Sequence, residues 1–258
     1  MGGVAGRTAI VTGAGSGGGI GFATARLLLE AGARVAITST TDRIHERLKE
    51  LGAGPDRAFA MPADLAVPEQ VAGFVAAVEQ NLGSIDILVN NAGMTQVGGD
   101  VPGGRLNQMT EAGWDYGISI NLKTCFLMTR AVLPGMMARR YGRIVQMSSV
   151  TGPLVGIAGS TVYAAAKAGM LGMTRALAIE VGGHGITVNC VGPGWIQTGS
   201  SSDAEIVAGR HTPVGRPGTP AEVGHAAVFL ASEEASYITG QMLVVDGGNI
   251  IQEYKSGA

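Results

Sequence analysis

The chain has 258 residues, of which 46% are hydrophobic and 15% charged, and its formal net charge is −2. This composition supplies a sizeable core for one α/β domain, and its 42 glycines follow no Gly-X-Y period, which excludes a collagen-like chain. The near-neutral charge without a basic run argues against nucleic acid or an anionic membrane surface as the main partner, so we expect a small-molecule substrate.

Targeting, membrane and metal signals are missing from the sequence pattern. The first apolar run, Thr8 to Val11, is too short for a signal peptide or a membrane span. Cys125 and Cys190 lie in apolar stretches and are expected to be buried, reduced thiols, while the four histidines share no metal-ligand spacing. These features predict a cytoplasmic protein that binds no metal ion.

Short β-branched runs alternate with longer helical patterns along the chain. The expected strands are Thr8–Val11, Arg34–Thr38, Arg57–Met61, Ile85–Val89, Arg143–Met147, Thr187–Val191 and Met242–Val245. The expected helices are Gly21–Ala31, Asp42–Leu51, Pro68–Leu82, Glu111–Ala138, Tyr163–Val181 and Pro220–Leu230, the last with Thr219 as N-cap and Glu222 at its third position.

Strands that are apolar on both faces and joined by helices indicate a parallel sheet covered on both sides. We therefore predict a Rossmann-type, doubly wound parallel sheet of about seven strands, with helices on both faces. One domain should span residues 1–258, with a mobile polar cover over the substrate at residues 199–212.

A glycine-rich loop follows the first strand and precedes the first helix. It reads Thr12-Gly13-Ala14-Gly15-Ser16-Gly17-Gly18-Gly19-Ile20-Gly21. In this place glycines let the backbone approach a pyrophosphate, and the helix N-terminus offers free N–H groups. The residues expected to hold the dinucleotide are Gly13, Ser16, Gly19, Ile20 and Gly21. When the following helix is used as the anchor, the loop carries two more residues than the usual glycine pattern. Which of the glycines faces the pyrophosphate is therefore left open.

The end of the second strand predicts which nicotinamide cofactor binds. Ser39 stands where an acidic residue would accept bonds from the ribose of NAD, and Thr40 follows it. Hydroxyl groups together with Arg43 suit a 2′-phosphate better, so the cofactor is expected to be NADP, with NAD as the alternative. Asp42 is interpreted as a helix N-cap.

Further motifs follow along the chain, and the order in which they occur resembles that of a known family. They are Asp64-Leu65, Asn90-Asn91-Ala92-Gly93, Asn121, Ser149, Tyr163-x-x-x-Lys167, Pro193-Gly194 and Val245-Asp246-Gly247-Gly248. Over nearly its whole length the chain resembles the short-chain dehydrogenase/reductase family, most closely the 3-oxoacyl-carrier-protein reductases and related ketone reductases.

The resemblance implies a role for each matched residue. Asp64 and Leu65 would contact the adenine, Asn91, Ala92 and Gly93 the adenosine ribose, and Tyr163 and Lys167 the cofactor as well as the substrate. The segment that holds the nicotinamide amide and pyrophosphate would consist of Pro193, Gly194, Ile196 and Thr198. Asn121 would bend its helix around a water that relays protons to Lys167. Members of the family are commonly homotetramers paired through the two long helices, here Glu111–Ala138 and Tyr163–Val181.

The chemistry of carbonyl reduction explains why these residue types are needed. Hydride transfer builds negative charge on the carbonyl oxygen, so the site needs a proton donor and a stabilising group. Tyr163 can donate the proton, and Lys167 lies one turn later on the same helix face, where an ammonium favours phenolate. Ser149 would hydrogen-bond the substrate oxygen, with Ser148 as the alternative.

The expected function is hydride transfer between NADP(H) and a carbonyl or secondary alcohol. A small or cyclic ketone is favoured because residues 199–212 carry no basic cluster, and 3-oxoacyl-carrier-protein reduction is the alternative. Enoyl reduction is disfavoured because enoyl reductases usually space their tyrosine and lysine further apart. A non-catalytic NADP-binding sensor has no need of all four catalytic residues. Segments containing Met94, Gln96, Val155 and Trp195 would face the substrate, with simple packing as the alternative for each residue.

Overall fold

The computed structural model describes residues 3–93 and 103–253. The strands are β1 (Thr8–Thr12), β2 (Arg34–Thr38), β3 (Ala58–Ala60), β4 (Ile87–Asn90), β5 (Gly142–Met147), β6 (Ile186–Pro193) and β7 (Met242–Val245). The α-helices are α1 (Ile20–Glu30), α2 (Arg43–Leu51), α3 (Pro68–Leu82), α4 (Glu111–Ile118), α5 (Thr124–Arg139), α6 (Thr161–Val181), α7 (Asp203–Arg210) and α8 (Pro220–Leu230).

The described strands form one parallel sheet in the order β3-β2-β1-β4-β5-β6-β7. The chain winds outward from β1 to β3 and then returns to the other side of β1 with β4. In such sheets ligands bind at the carboxyl ends of the strands, at the point where the winding reverses. The seven-stranded doubly wound fold expected from the sequence is confirmed, and it places the candidate site beyond β1 and β4.

Each face of the sheet is covered by helices, because alternate strand residues point to opposite sides. Ala9 and Val11 of β1 pack with α1, α2 and α8, whereas Ile10 packs with α3, α5 and α6. Both layers are dominated by buried Val, Ile, Leu and Ala, which accounts for the strands that are apolar on both faces.

Two expected segments have a different local structure. The helix expected over Glu111–Ala138 is interrupted by a π-helical turn at Ser119–Lys123, which separates α4 from α5. Helix α7 lies where a mobile polar loop was expected at residues 199–212. The overlooked signal is a capping box: Ser202 Oγ accepts from the Glu205 amide, and the Glu205 carboxylate accepts from the Ser202 amide.

The caps of α2 and α8 give opposite outcomes. The expected capping box of α8 is confirmed, since Thr219 and Glu222 satisfy each other's backbone amides. Asp42 occupies the N-cap position of α2, but within the described part of the chain its side chain makes no capping hydrogen bond. Its backbone already has helical φ and ψ of −61° and −13°, whereas a capping residue needs an extended conformation. The N-cap position expected for Asp42 is therefore confirmed, but its side chain does not cap the helix.

Three further sequence expectations concern spans, thiols and metals. Among the described residues no helix is long and apolar enough to cross a membrane. Cys125 and Cys190 are free and buried, and burial raises the pKa of Cys125 to about 12 and that of Cys190 to about 11. Residues 3–93 and 103–253 contain no cluster of three His, Cys, Asp or Glu side chains suited to a metal ion.

Candidate active site

The glycine-rich loop leads from β1 into α1 and is fastened to the end of β4. Thr12 Oγ1 accepts hydrogen bonds from the Asn91 and Ala92 amides at 2.9 and 3.0 Å. The Asn91 side-chain amide donates to the carbonyl oxygens of Thr12 and Gly13, each at 3.1 Å. These bonds hold two of the predicted cofactor segments side by side.

Glycine is required at two positions of this loop. Gly13 has a φ of +68°, and a Cβ on it would lie 2.7 Å from Ala92 Cα. A Cβ on Gly21 would lie 2.5 Å from Asn91 Nδ2 and 2.7 Å from Gly13 O. Both glycines therefore serve close packing of the loop against β4. This separates them from the outer part of the loop, where Ser16, Gly17 and Gly18 are exposed.

The N-terminus of α1 suits the pyrophosphate of a dinucleotide. Gly19 is its N-cap, and among the described residues no side chain caps the first turn, which also carries no acidic residue. The amides of Ile20 and Gly21 belong to this first turn, where backbone N–H groups lack intrahelical partners. With the helix dipole, they form a site for an anion.

Basic side chains of α2 lie across the same loop. A Cβ on Gly15 would lie 2.7 Å from Arg43 Nε, and one on Gly17 would lie 2.9 Å from Arg47 Nη1. Ser39 is buried next to Gly15 and donates from Oγ to Thr41 O at 3.1 Å, whereas Thr40 is exposed. Arg47 was missed from the sequence; its spacing of four residues from Arg43 on one helix face is the signal that could have identified it.

Lys167 is buried at the carboxyl end of β5, with 3% of its surface exposed. Its Nζ donates to Met147 O at 2.8 Å and lies 5.5 Å from the centre of the Tyr163 ring. Ser148 Oγ donates to Lys167 O at 2.9 Å, which ties α6 to the strand a second time. The Tyr163 side chain is partly exposed, so one face of α6 presents a tyrosine at the surface with an ammonium behind it.

Asn121 lies in the π-helical turn and is buried beside Lys167. Its Nδ2 donates to Gly117 O, four residues earlier, at 3.0 Å. The side chain thus takes up a carbonyl oxygen that a regular α-helix uses for its backbone hydrogen bonds. A Cβ on Gly93 would lie 2.7 Å from Asn121 Oδ1 and 3.6 Å from Lys167 Nζ. Gly93, Asn121 and Lys167 are thus in close contact, although they come from three different elements.

The two serines after β5 have different surroundings. Ser148 is committed to the backbone of Lys167, as described above. Ser149 Oγ accepts from the Thr151 amide at 3.1 Å, which leaves its hydroxyl hydrogen to donate to a substrate oxygen. Ser149 therefore fits the role of substrate donor better than Ser148 does.

The segment after β6 closes the other side of the loop. Pro193 ends β6, and Gly194 packs so closely on Asp246 that a Cβ would lie 2.6 Å from the Asp246 Cβ. Ile196 packs against the core, and Thr198 forms hydrogen bonds with Ser200 and Ser201. A Cβ on Gly18 would lie 3.3 Å from the amide nitrogen of Gly199, so this segment reaches the phosphate loop.

Two predicted adenine contacts differ in how much surface they offer. The side chain of Leu65 is buried in the layer of α3 and α5. Asp64 is partly exposed, and its Oδ1 accepts from the Ala66 amide at 2.9 Å. Asp64 thus shapes the turn after β3, and Leu65 anchors it.

The substrate side is only partly described. Met94 and Gln96 lie outside the described residues. The Gly104 amide donates to Gly159 O at 2.9 Å, just before α6. Val155 and Trp195 are partly exposed near the ends of β5 and β6. The exposed side chains of Leu154 and Ile157 add apolar surface to the loop that precedes Tyr163.

Comparisons with known proteins agree with the fold. A family profile described as enoyl-(acyl carrier protein) reductase matches residues 13–249. The oxidoreductase UcpA of Salmonella typhimurium (strain LT2) is 40% identical over 265 residues, covering 98% of each chain. The 3-oxoacyl-(acyl-carrier-protein) reductase FabG of Vibrio harveyi is 42% identical over 251 residues, covering 94% of this chain and 97% of the relative. A solved short chain dehydrogenase/reductase family protein superposes with a TM-score of 0.86 at 34% identity, covering 97% of this chain and 100% of the other.

Proposed function

The chain belongs to the short-chain dehydrogenase/reductase family of NAD(P)-dependent oxidoreductases, and on this basis we propose that it reduces a small or cyclic ketone with NADPH. The observation that carries the proposal is the grouping of Tyr163, Lys167 and Asn121 beside Gly93, at the carboxyl ends of β4 and β5. The phosphate loop and the N-terminus of α1 lie at the same edge of the sheet, next to this group.

The proposed mechanism assigns one task to each side chain. The hydride would come from NADPH held by the phosphate loop and the N-terminus of α1. As negative charge builds on the carbonyl oxygen, the Tyr163 hydroxyl donates a proton to it and Ser149 donates a hydrogen bond. The Lys167 ammonium stabilises the phenolate left on Tyr163, while the bond to Met147 O holds the ammonium in place. We assign Asn121 to a water that would relay protons to Lys167, and the approach of both side chains to Gly93 supports this assignment.

The preference for NADP rests on charge near the phosphate loop. Arg43 lies against Gly15, and Arg47 lies against Gly17, so two guanidinium groups border the region after β2. Positions 39 and 40 carry Ser39 and Thr40, so no acidic side chain at these positions repels a phosphate. Arg47 is already paired with Glu46 and Glu50, so Arg43 is the residue that we assign to the 2′-phosphate. NAD remains the alternative cofactor.

A panel of carbonyl compounds with NADPH and NADH tests the proposal. We expect turnover of small or cyclic ketones, a higher kcat/KM with NADPH, and loss of turnover in Tyr163→Phe. Turnover that survives in Tyr163→Phe would reject the assigned proton donor. Binding of NADPH without turnover of any carbonyl would favour a sensor.

Reduction of a 3-oxoacyl thioester is the second candidate. Its support is the 42% identity to the Vibrio harveyi 3-oxoacyl-(acyl-carrier-protein) reductase. The segment 199–212 carries Arg210 as its only Lys or Arg, which provides little charge for an acyl-carrier phosphate. An acetoacetyl thioester should therefore be a poorer substrate than a cyclic ketone, and the reverse order would establish the second candidate. A crotonyl thioester in the same panel tests enoyl reduction.

We also propose that the chain is one domain and assembles as a homotetramer through α5 and α6. Phe126 and Ile179 on these helices are exposed, the latter to 86%, as expected of apolar surface that a partner covers. A monomer in light scattering would reject the assembly. The cytoplasmic location stays a prediction from the sequence.

A further inference from the structure

Three polar side chains meet inside the apolar layer between the sheet and α5. Asn90 ends β4, Gln146 is its register partner in β5, and Thr129 approaches both from α5. Asn90 Nδ2 donates to Thr129 Oγ1 at 3.1 Å, and Gln146 Nε2 donates to the same oxygen at 3.4 Å. All three residues are buried. They are called the Thr129 cluster below.

The Thr129 cluster is costly where it lies. Its layer is otherwise built from apolar side chains, among them Leu88, Ile144, Met128 and Val132. The side-chain oxygens of Asn90 and Gln146 are buried and find no donor among the described residues. An unmade hydrogen bond in the interior costs stability, and apolar residues of the same shape avoid that cost. Stability alone therefore does not explain this cluster.

Its position offers a better explanation, because each member lies on an element that carries or leads into a segment of the candidate active site. Asn90 directly precedes Asn91, Ala92 and Gly93. Gln146 directly precedes Met147, whose carbonyl oxygen holds Lys167 Nζ. Thr129 lies on α5 about two turns after Asn121. A single oxygen, Thr129 Oγ1, thus links the elements that carry these three segments.

We infer that Thr129 is a positioning residue for the catalytic lysine. Its hydroxyl oxygen holds the carboxyl ends of β4 and β5 in place against α5. This contact keeps Met147 O under the Lys167 ammonium and keeps Asn121 beside Gly93. The inference rests on the proposed catalytic role of Lys167. Thr129 touches neither substrate nor cofactor and acts only through these neighbours.

The test compares Thr129→Val, which keeps the shape and removes the hydroxyl, with Thr129→Ser, which keeps the hydroxyl. Small misplacements slow reactions by up to about 10²-fold, so we expect kcat to fall by about tenfold in Thr129→Val, with KM changed less than about twofold. The pH profile of kcat should also shift, since the environment of the ammonium changes. Thr129→Ser should restore both values.

Thr8→Val is the matched control. Thr8 is a buried threonine whose Oγ1 donates to Leu82 O at 3.0 Å, at the opposite end of the sheet from the candidate site. The Thr8→Val variant should have a lower melting temperature and an unchanged kcat and pH profile. Gln146→Met, which removes one donor and leaves Thr129 in place, serves as a second variant if Thr129→Val does not fold, and its kcat should also fall.

The outcomes separate this inference from the proposed function. If Thr129→Val, or Gln146→Met in its place, behaves like Thr8→Val, the cluster is merely structural and the inference is overturned. If Lys167→Met keeps the wild-type kcat in the same assay, the proposed catalytic site fails and the inference fails with it. Loss of kcat in Lys167→Met and a shifted pH profile in Thr129→Val together support both.

Discussion

Lys167 Nζ donates a hydrogen bond of 2.8 Å to the carbonyl oxygen of Met147, the last residue of β5. A buried ammonium is costly unless its donors are satisfied, and here a strand terminus supplies the acceptor. The side chain is thereby fixed toward Tyr163 and is not free to extend to solvent. This contact explains how a flexible lysine can hold one geometry through a reaction.

Replacing Lys167 by methionine should abolish most turnover while the fold persists. Methionine fills the same space without the charge, so we expect kcat/KM to fall by about 10²–10⁴-fold, the usual contribution of proton-transfer groups. Steady-state kinetics with the best carbonyl of the panel measures the loss, and circular dichroism checks the fold. A variant that is folded and retains full kcat/KM would contradict the assigned role.

Replacing Arg43 by alanine should weaken NADPH binding selectively. A hydrogen bond from a charged donor contributes about 1.5–3 kcal/mol, so the Kd for NADPH should rise by at least about tenfold and that for NADH should hardly change. Fluorescence titration with both cofactors gives the two values. Lys49→Ala is the matched control, because Lys49 is an exposed cation in the last turn of the same helix, α2. Equal losses for NADPH and NADH would argue against a 2′-phosphate contact.

Replacing Glu222 by glutamine should destabilise the protein in a pH-dependent way. Hydrogen bonds from the Arg216 side chain and the Thr219 backbone lower the pKa of Glu222 to about 2. Because the folded-state pKa lies below the ordinary value, the carboxylate stabilises the fold above pH about 4.5, and this contribution is lost as the pH falls toward 2.

The expected size of this effect is small. The Arg216–Glu222 pair is about half exposed and screened by solvent, and a glutamine oxygen can still accept the hydrogen bond from the Thr219 amide, so only the charge-dependent part of the interaction is lost. Thermal melts at neutral pH should show a loss of no more than about 2–4 °C in Glu222→Gln. The difference should shrink as the pH is lowered from 4.5, and a difference independent of pH would show that the carboxylate charge plays no part.

The two cysteines should resist thiol reagents in the folded protein. Burial raises the pKa of Cys125 to about 12 and that of Cys190 to about 11, so neither forms an appreciable thiolate at pH 8. A chromogenic disulfide should react with two thiols per chain only after denaturation. Ser200→Cys provides an exposed thiol as the positive control. Rapid modification of the native wild type would contradict the burial of these side chains.

Sequence reasoning identified the alternation of strands and helices because each element shows its own hydrophobic period. It failed at Ser119–Lys123 and at Asp203–Arg210 for different reasons. The π-helical turn depends on a bond from Asn121 to the Gly117 carbonyl that hydrophobic periodicity does not show. Helix α7 has a readable capping box at Ser202 and Glu205, but its small polar residues favoured a loop.

By itself the sequence determined the family, the fold class and the residues that could perform the chemistry, because these follow from local patterns and their order. The tertiary structure decided which of these residues meet. Lys167 reaches Met147, Asn121 comes beside Gly93, and Arg47 lies across Gly17, although each pair is far apart in the chain. It also favours Ser149 over Ser148 as the proposed substrate donor, since Ser148 is committed to the backbone of α6. Such contacts depend on how the layers pack, and no local sequence pattern contains that information.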